Sequence, residues 1–168
     1  MAFIFSNNQL ISFATYDDLF QRDSRVFEAN ESLTEDQVDQ WLSAASARIL
    51  TQIQSSDWWK NYQYSMNPGV KGDPRLVPAV TPTLIRAREQ EFKDLNVYLA
   101  LYEYILPSVA DFGNATSAEV VKIAHYKDAY DRLFDETLAT GDWYDFDADT
   151  VIETAEKNPV RANLVRVR

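Results

Sequence analysis

Asp145, Asp147 and Asp149 occupy alternate positions, Val151 and Ile152 follow, and Glu156 closes the stretch. This is the spacing of an EF-hand calcium loop. Such a loop takes side-chain oxygens from positions one, three and five, a backbone carbonyl from seven and a bidentate Glu from twelve. Counted from Asp145, the candidate metal ligands are Asp145, Asp147, Asp149, the Val151 carbonyl and Glu156, with the apolar Ile152 at position eight. Position six departs from the pattern. The chain must turn there with positive φ, which glycine tolerates and a β-branched residue resists, and here it is Thr150. Pro159 also cuts short any helix after Glu156. Both departures weigh the segment toward a solvated acidic turn. A small calcium-binding interaction module is the alternative function, and no other cofactor is expected.

Other chemistries lack their residues. The chain has no cysteine, which excludes a thiol nucleophile, a disulfide framework and thiolate metal sites. His125 is the single histidine, so no multi-His centre can form within one chain, and a structural or surface role fits it best. Asp17 and Asp18 read as first-turn acids of a helix rather than as a catalytic pair. The four glycines, Gly69, Gly72, Gly113 and Gly141, make no phosphate-cradling loop. An acid-pair hydrolase finds no spacing to support it, and the chain is not expected to be an enzyme. Trp58, Trp59, Tyr62 and Tyr64 could stack on sugars or bases, but aromatics at a helix end more often serve as core or interface.

The carboxyl end has a different character. Residues 142–156 carry six acids and no base, whereas residues 157–168 carry Lys157, Arg161, Arg166 and Arg168 and no acid. In an extended chain Leu164, Arg166 and Arg168 share one face, with Val165 and Val167 on the other. Cationic residues at the end of an acidic protein suit an arm that adds to a partner's sheet edge or lies in an acidic groove. The alternative is a frayed tail.

The elements that must hold these residues are mostly helical. An extended segment with a turn is expected over 3–13, and Thr15 ahead of Asp17 and Asp18 predicts a short helix over about 16–28. Thr34 and Gln37 form a capping box before Val38, Trp41, Leu42, Ala45, Ile49 and Ile53, whose spacing lays one apolar stripe along a helix over 34–54. Ser55-Ser-Asp caps a short aromatic turn. Pro68, Pro74, Pro78 and Pro82 with Gly69 and Gly72 predict a long surface loop over 67–82. A helix is expected from Pro82, with Leu84, Ile85, Arg88, Phe92, Leu95, Leu99, Tyr102 and Leu106 in phase, ending at Pro107. Ser117 caps the last helix, in which Val120, Val121, Ala124, Tyr130, Leu133, Phe134 and Leu138 face inward and which Gly141 stops. The expected fold is mainly α. It is a small bundle of four to five helices over 1–141, followed by an acidic loop and an extended basic arm over 142–168.

Charge narrows the partners. Sixteen basic against twenty-six acidic residues give a net charge of −10, which repels phosphate backbones and argues against generic nucleic-acid binding. No stretch approaches the roughly 20 apolar residues of a membrane span, and the amino terminus lacks the basic region of a signal peptide. A protein of a reducing compartment with no membrane partner is expected.

Three stretches together resemble a known family: Phe13-Ala-Thr-Tyr-Asp-Asp-Leu19, Leu33-Thr-Glu-Asp-Gln-Val-Asp-Gln-Trp-Leu42 and Ala45-Ser-Ala-Arg-Ile49. They are similar to the start of tailed-bacteriophage head–tail adaptor proteins, also called head completion or connector proteins. In that family an Ala-Thr-x-x-Asp-Leu opening precedes a capped helix ending in Ala-Ser-x-x-Ile. The likeness covers roughly residues 13–54. The long Pro-Gly loop and the acidic segment depart from it, and no detail is carried over there. The resemblance implies a virion component of the neck, made in the host cytoplasm and assembled as a homo-oligomeric ring, commonly a dodecamer, beneath the portal protein. The ring continues the DNA channel and offers a platform to a stopper or tail-completion protein. The arm that reaches the portal would carry Arg161, Leu164, Arg166 and Arg168 as docking residues. An acidic channel lets DNA pass without specific binding. A ring also needs two unlike patches per subunit, for which residues 58–64 and 67–82 are candidates.

Overall fold

A computed structural model describes residues 3–7, 9–28, 30, 33–110, 113, 117–152 and 156. The chain divides into two compact units, Met1–Ile49 with Arg88–Thr137 and Leu50–Ala87 with Leu138–Arg168. The fold is mainly α, as the periodicity predicts. Helices α1 (Tyr16–Arg22), α2 (Ser24–Glu28), α3 (Glu35–Ser55), α4 (Asp57–Met66), α5 (Glu89–Leu99), α6 (Leu106–Val109) and α7 (Ala118–Thr140) account for most described residues. The extended segment near the amino terminus is an antiparallel hairpin of β1 (Ile4–Ser6) and β2 (Gln9–Ser12), turning at Asn7 with φ 50°.

The first unit is built around one face of α3. Val38, Leu42, Ala45 and Ile49 are fully buried there, as are Leu19 of α1 and Phe92, Leu95 and Leu99 of α5. Each of these side chains except that of Ala45 stabilises the fold by about 1.5–3 kcal/mol relative to exposure. Phe3, Phe13 and Phe92 meet ring to ring, with the Phe3 and Phe13 centroids 4.8 Å apart. A polar knot runs through this apolar core. Asn96 Nδ2 donates to the Leu42 carbonyl at 2.9 Å and to Ser46 Oγ at 2.8 Å, and Ser46 Oγ also accepts from the Phe13 amide at 3.0 Å.

The helix expected over 16–28 is two helices. It breaks at Asp23, whose buried carboxylate takes Lys122 Nζ at 2.6 Å and the Tyr126 hydroxyl at 3.0 Å. Burial and this carboxylate raise the Tyr126 hydroxyl well above its ordinary pKa. Tertiary pairing of one acid outweighs local helix propensity.

The helix expected from Pro82 begins at Glu89. Pro82–Leu84 form only a 3₁₀ turn, and Ile85 is extended, bridged antiparallel to Tyr144. Arg88 takes a left-handed φ of 58° before the helix starts. The backbone groups of 84–86 are committed to a strand partner and cannot join a helix. Pro107 does not end the run either. Residues Ala100–Ile105 widen into a π turn and the helix continues through Leu106–Val109. The wider turn relieves the clash of the proline ring with the preceding carbonyls.

In α7 the inward face carries Tyr126, Tyr130 and Thr137, whereas Val121 and Ala124, expected inside, are exposed. The segment 67–82 is less loop-like than its prolines suggest. It holds 3₁₀ turns at Pro68–Gly72 and Pro74–Leu76 and buries Val70, Val77 and Val80.

Candidate functional site

The acidic stretch is seated in the second unit, and an aromatic cluster is its floor. Ser56 caps α4 by accepting from the Trp59 amide at 3.3 Å. The helix thereby presents Trp58, Trp59 and Tyr62 on adjacent turns. Trp59 is buried and donates through Nε1 to the Pro78 carbonyl at 2.8 Å. Gln54 Nε2 donates to the Val77 carbonyl at 3.0 Å, pinning the proline-rich segment alongside. Trp58 lies 4.7 Å from Trp143, Trp59 meets Tyr144 edge-on at 5.1 Å, and Tyr62 stacks on Phe146 at 3.5 Å between centroids. Tyr64, on the same helix, is half-buried.

Gly141 ends α7 with φ 60°, a conformation that favours glycine, and the chain then runs straight into this cluster. Residues 143–145 form a strap across 84–86. The Arg86 amide donates to the Trp143 carbonyl at 2.9 Å, and the Asp145 amide donates to the Leu84 carbonyl at 2.9 Å. The Tyr144 hydroxyl accepts from the Thr81 amide at 3.2 Å. Beyond Gly141, therefore, Trp143, Tyr144 and Asp145 are buried residues of a packed unit.

The five expected ligand positions fall close together in part. Asp145, Asp147 and Asp149 each offer a carboxylate oxygen, and these oxygens lie within 4.8 Å of one another. Asp145 is 0% exposed, and its Oδ2 accepts from the Thr150 amide at 2.9 Å and from Arg86 Nε at 3.3 Å. Its Oδ1 is buried with no hydrogen-bond partner among the described residues. Asp147 Oδ1 accepts from the Asp149 amide and Asp149 Oδ1 from the Val151 amide, at 3.2 and 2.8 Å. Glu156 is buried and folds back, its Oε1 accepting from the Phe146 amide at 2.7 Å and the Asp147 amide at 3.3 Å. Thr150 has φ 80°, so the residue expected to resist the position-six turn adopts it, with Ala148 at φ 64° nearby.

Charge within the loop is uneven. Burial opposes the charge on Asp145, but the Thr150 amide, Arg86 and the Ala148 amide outweigh it and hold that carboxyl below the usual carboxylate range. Asp147 moves the other way. The Asp149 amide lowers it, yet burial and the neighbouring carboxylates of Asp149, Glu156 and Asp145 prevail and raise it. Burial, then Glu156 and Asp147, also raise the Tyr62 hydroxyl.

Arg86 is the member that sequence reasoning missed, because helical phase placed it on a continuous helix. Its approach to Asp145 follows from the antiparallel bridge of Ile85 to Tyr144, a pairing between distant stretches that local periodicity does not carry. Arg161, Leu164, Arg166 and Arg168 lie outside the described residues. His125 is exposed on α7, edge-on to Tyr126 at 5.3 Å. Asp17 is exposed, while Asp18 completes a capping box with Thr15 and takes Lys93 Nζ at 3.2 Å. Burial opposes ionisation of Asp18, but the Thr15 amide and hydroxyl and the Lys93 ammonium hold its carboxyl low. No helix among the described residues is long and apolar enough to cross a membrane. No family model, curated protein or solved structure matches the chain.

Proposed function

We propose that this chain is a head–tail adaptor of a tailed bacteriophage. It is a non-enzymatic virion subunit that forms a ring under the portal and links the capsid to a stopper or tail. What supports the reading is the way two of the three stretches carrying the resemblance meet. Phe13, Ala14 and Leu19 of the first and Ala45, Ser46 and Ile49 of the third are all buried, and the Phe13 amide donates directly to Ser46 Oγ. The shared residues are thus core residues, and the Phe13–Ser46 bond ties the segment ahead of α1 to α3, as residues specifying a common body would do. In this reading the body supplies bulk, an acidic channel surface lets DNA slide past, and Arg161, Leu164, Arg166 and Arg168 grip the portal.

The test is electron microscopy and co-sedimentation of the purified protein with portal rings of the same virus. The full chain should decorate the portal as a ring, and a chain ending at Asn158 should not bind. Equal binding by the shortened chain removes the docking role of the four residues. Failure of the full chain to associate overturns the adaptor reading.

A further inference from the structure

We propose that Asp145, Asp147, Asp149, the Val151 carbonyl and Glu156 bind a calcium ion. This inference does not rest on the adaptor reading. Acid clusters are common on protein surfaces, and spacing alone would carry little. The decisive observation is Asp145. Its side chain is wholly buried, Oδ2 is taken by Arg86 and Thr150, and Oδ1 is left without a donor. A buried carboxylate oxygen without a partner is costly, and beside the Arg86 and Thr150 donors to Asp145 stand two further carboxylates, Asp147 and Asp149. A cation is the partner that resolves both problems.

The dimensions agree with calcium. Calcium takes oxygens at about 2.3–2.6 Å, so two ligands on opposite sides of one ion stand about 4.6–5.2 Å apart. The three aspartate oxygens lie within 4.8 Å of one another. That bound also admits magnesium, at about 2.0–2.1 Å, so the preference for calcium rests on the ligand set, since magnesium keeps its waters and demands strict octahedral geometry. The objection raised by Thr150 at position six also falls, since its backbone already has the required turn. Glu156 at present holds the Phe146 and Asp147 amides through Oε1. Closing on an ion therefore trades or shares those bonds and shifts the ring of Phe146 against Tyr62 and the tryptophans. Arg86 beside Asp145 competes with the ion, which places the affinity among weak sites, about 10⁻⁴–10⁻³ M.

The experiment uses the full chain, stripped with chelator and titrated with calcium chloride, read by tryptophan emission and by isothermal titration calorimetry. Wild type should give a saturable response. The D147N/D149N double variant, altered only at exposed side chains, should bind about tenfold or more weakly while melting like wild type in chelator. Magnesium chloride should act about tenfold more weakly than calcium. Absence of a saturable signal up to about 10 mM calcium, or equal affinity in the double variant, overturns the site. Equal response to magnesium overturns the choice of ion. Portal binding in chelator is scored separately, so loss of this site leaves the adaptor reading intact.

Discussion

Thr150 sits at a φ of 80°, where a β-branched residue costs about 1–3 kcal/mol, and it stays there because its amide donates to the buried Asp145. Asp145 in turn is a charge tolerated inside the second unit because the Thr150 amide and Arg86 both reach it. The Asp145–Arg86 pair yields a prediction with a definite pH sign. The Asp145 carboxyl is held below its ordinary value in the folded state, so its stabilisation is fully present above the unfolded value, about pH 4, and is lost as pH falls through the folded value. Replacing Arg86 with Met leaves the carboxylate buried and unpaired. We expect R86M to lose about 2 kcal/mol at pH 7, less than a fully buried pair because Arg86 is 38% exposed. The deficit should shrink as pH falls below about 4 and vanish only below the lowered folded value, where the carboxyl is protonated in both proteins. Urea unfolding at pH 7 and pH 3.5 measures it, and a pH-independent loss would contradict the ion-pair account.

At the level of elements, α3 is held by packing and by one polar knot, and the knot can be cut alone. Asn96 is fully buried and serves Leu42, Ser46 and Ser12 at once, the Ser12 hydroxyl lying 3.1 Å from its Oδ1. N96A should cost about 2–3 kcal/mol, because it orphans buried groups and opens a small void. Thermal melting should register this as a clear drop, whereas N61A, exposed on α4, serves as the neutral comparison. The long helices were legible in the sequence because Val38, Leu42, Ala45, Ile49 and Ile53 keep one strict period and end in the core. The break at Asp23, the bridge at Ile85 and the π turn before Pro107 were not. The first two depend on a partner far along the chain, Lys122 or Tyr144, of which local periodicity carries no record, and the third is the local answer to a proline inside a helix. The acidic ligand set was legible as a spacing. The burial of Asp145 and the turn at Thr150 were not, since both follow from the strap that Trp143 and Tyr144 make.

For the whole molecule, the second unit is assembled from two stretches separated by residues 88–137, Leu50–Ala87 and Leu138–Arg168, and neither can bury its aromatics alone. Trp58 and Trp59 face Trp143, Tyr144 and Phe146, and the Leu84 carbonyl and Thr81 amide depend on the same strap. The change of composition at Gly141 is therefore a boundary of charge, while packing continues through Asp145. This decides where the chain can be cut when the arm is tested. A chain ending at Asn158 keeps every described residue and should retain wild-type tryptophan emission and melting. A chain ending at Gly141 strips the strap from α4, uncovering on the order of 150–250 Å² for each large ring that loses its partner. At about 25 cal/mol per Å², several rings cost more than a small unit can spare. Its emission should shift to the red and protease should cut within 57–87, while α5 and α7 stay resistant. Blue emission and a protected 57–87 in that shorter chain would mean that the strap is dispensable, and the aromatic floor of the acidic site would need another explanation.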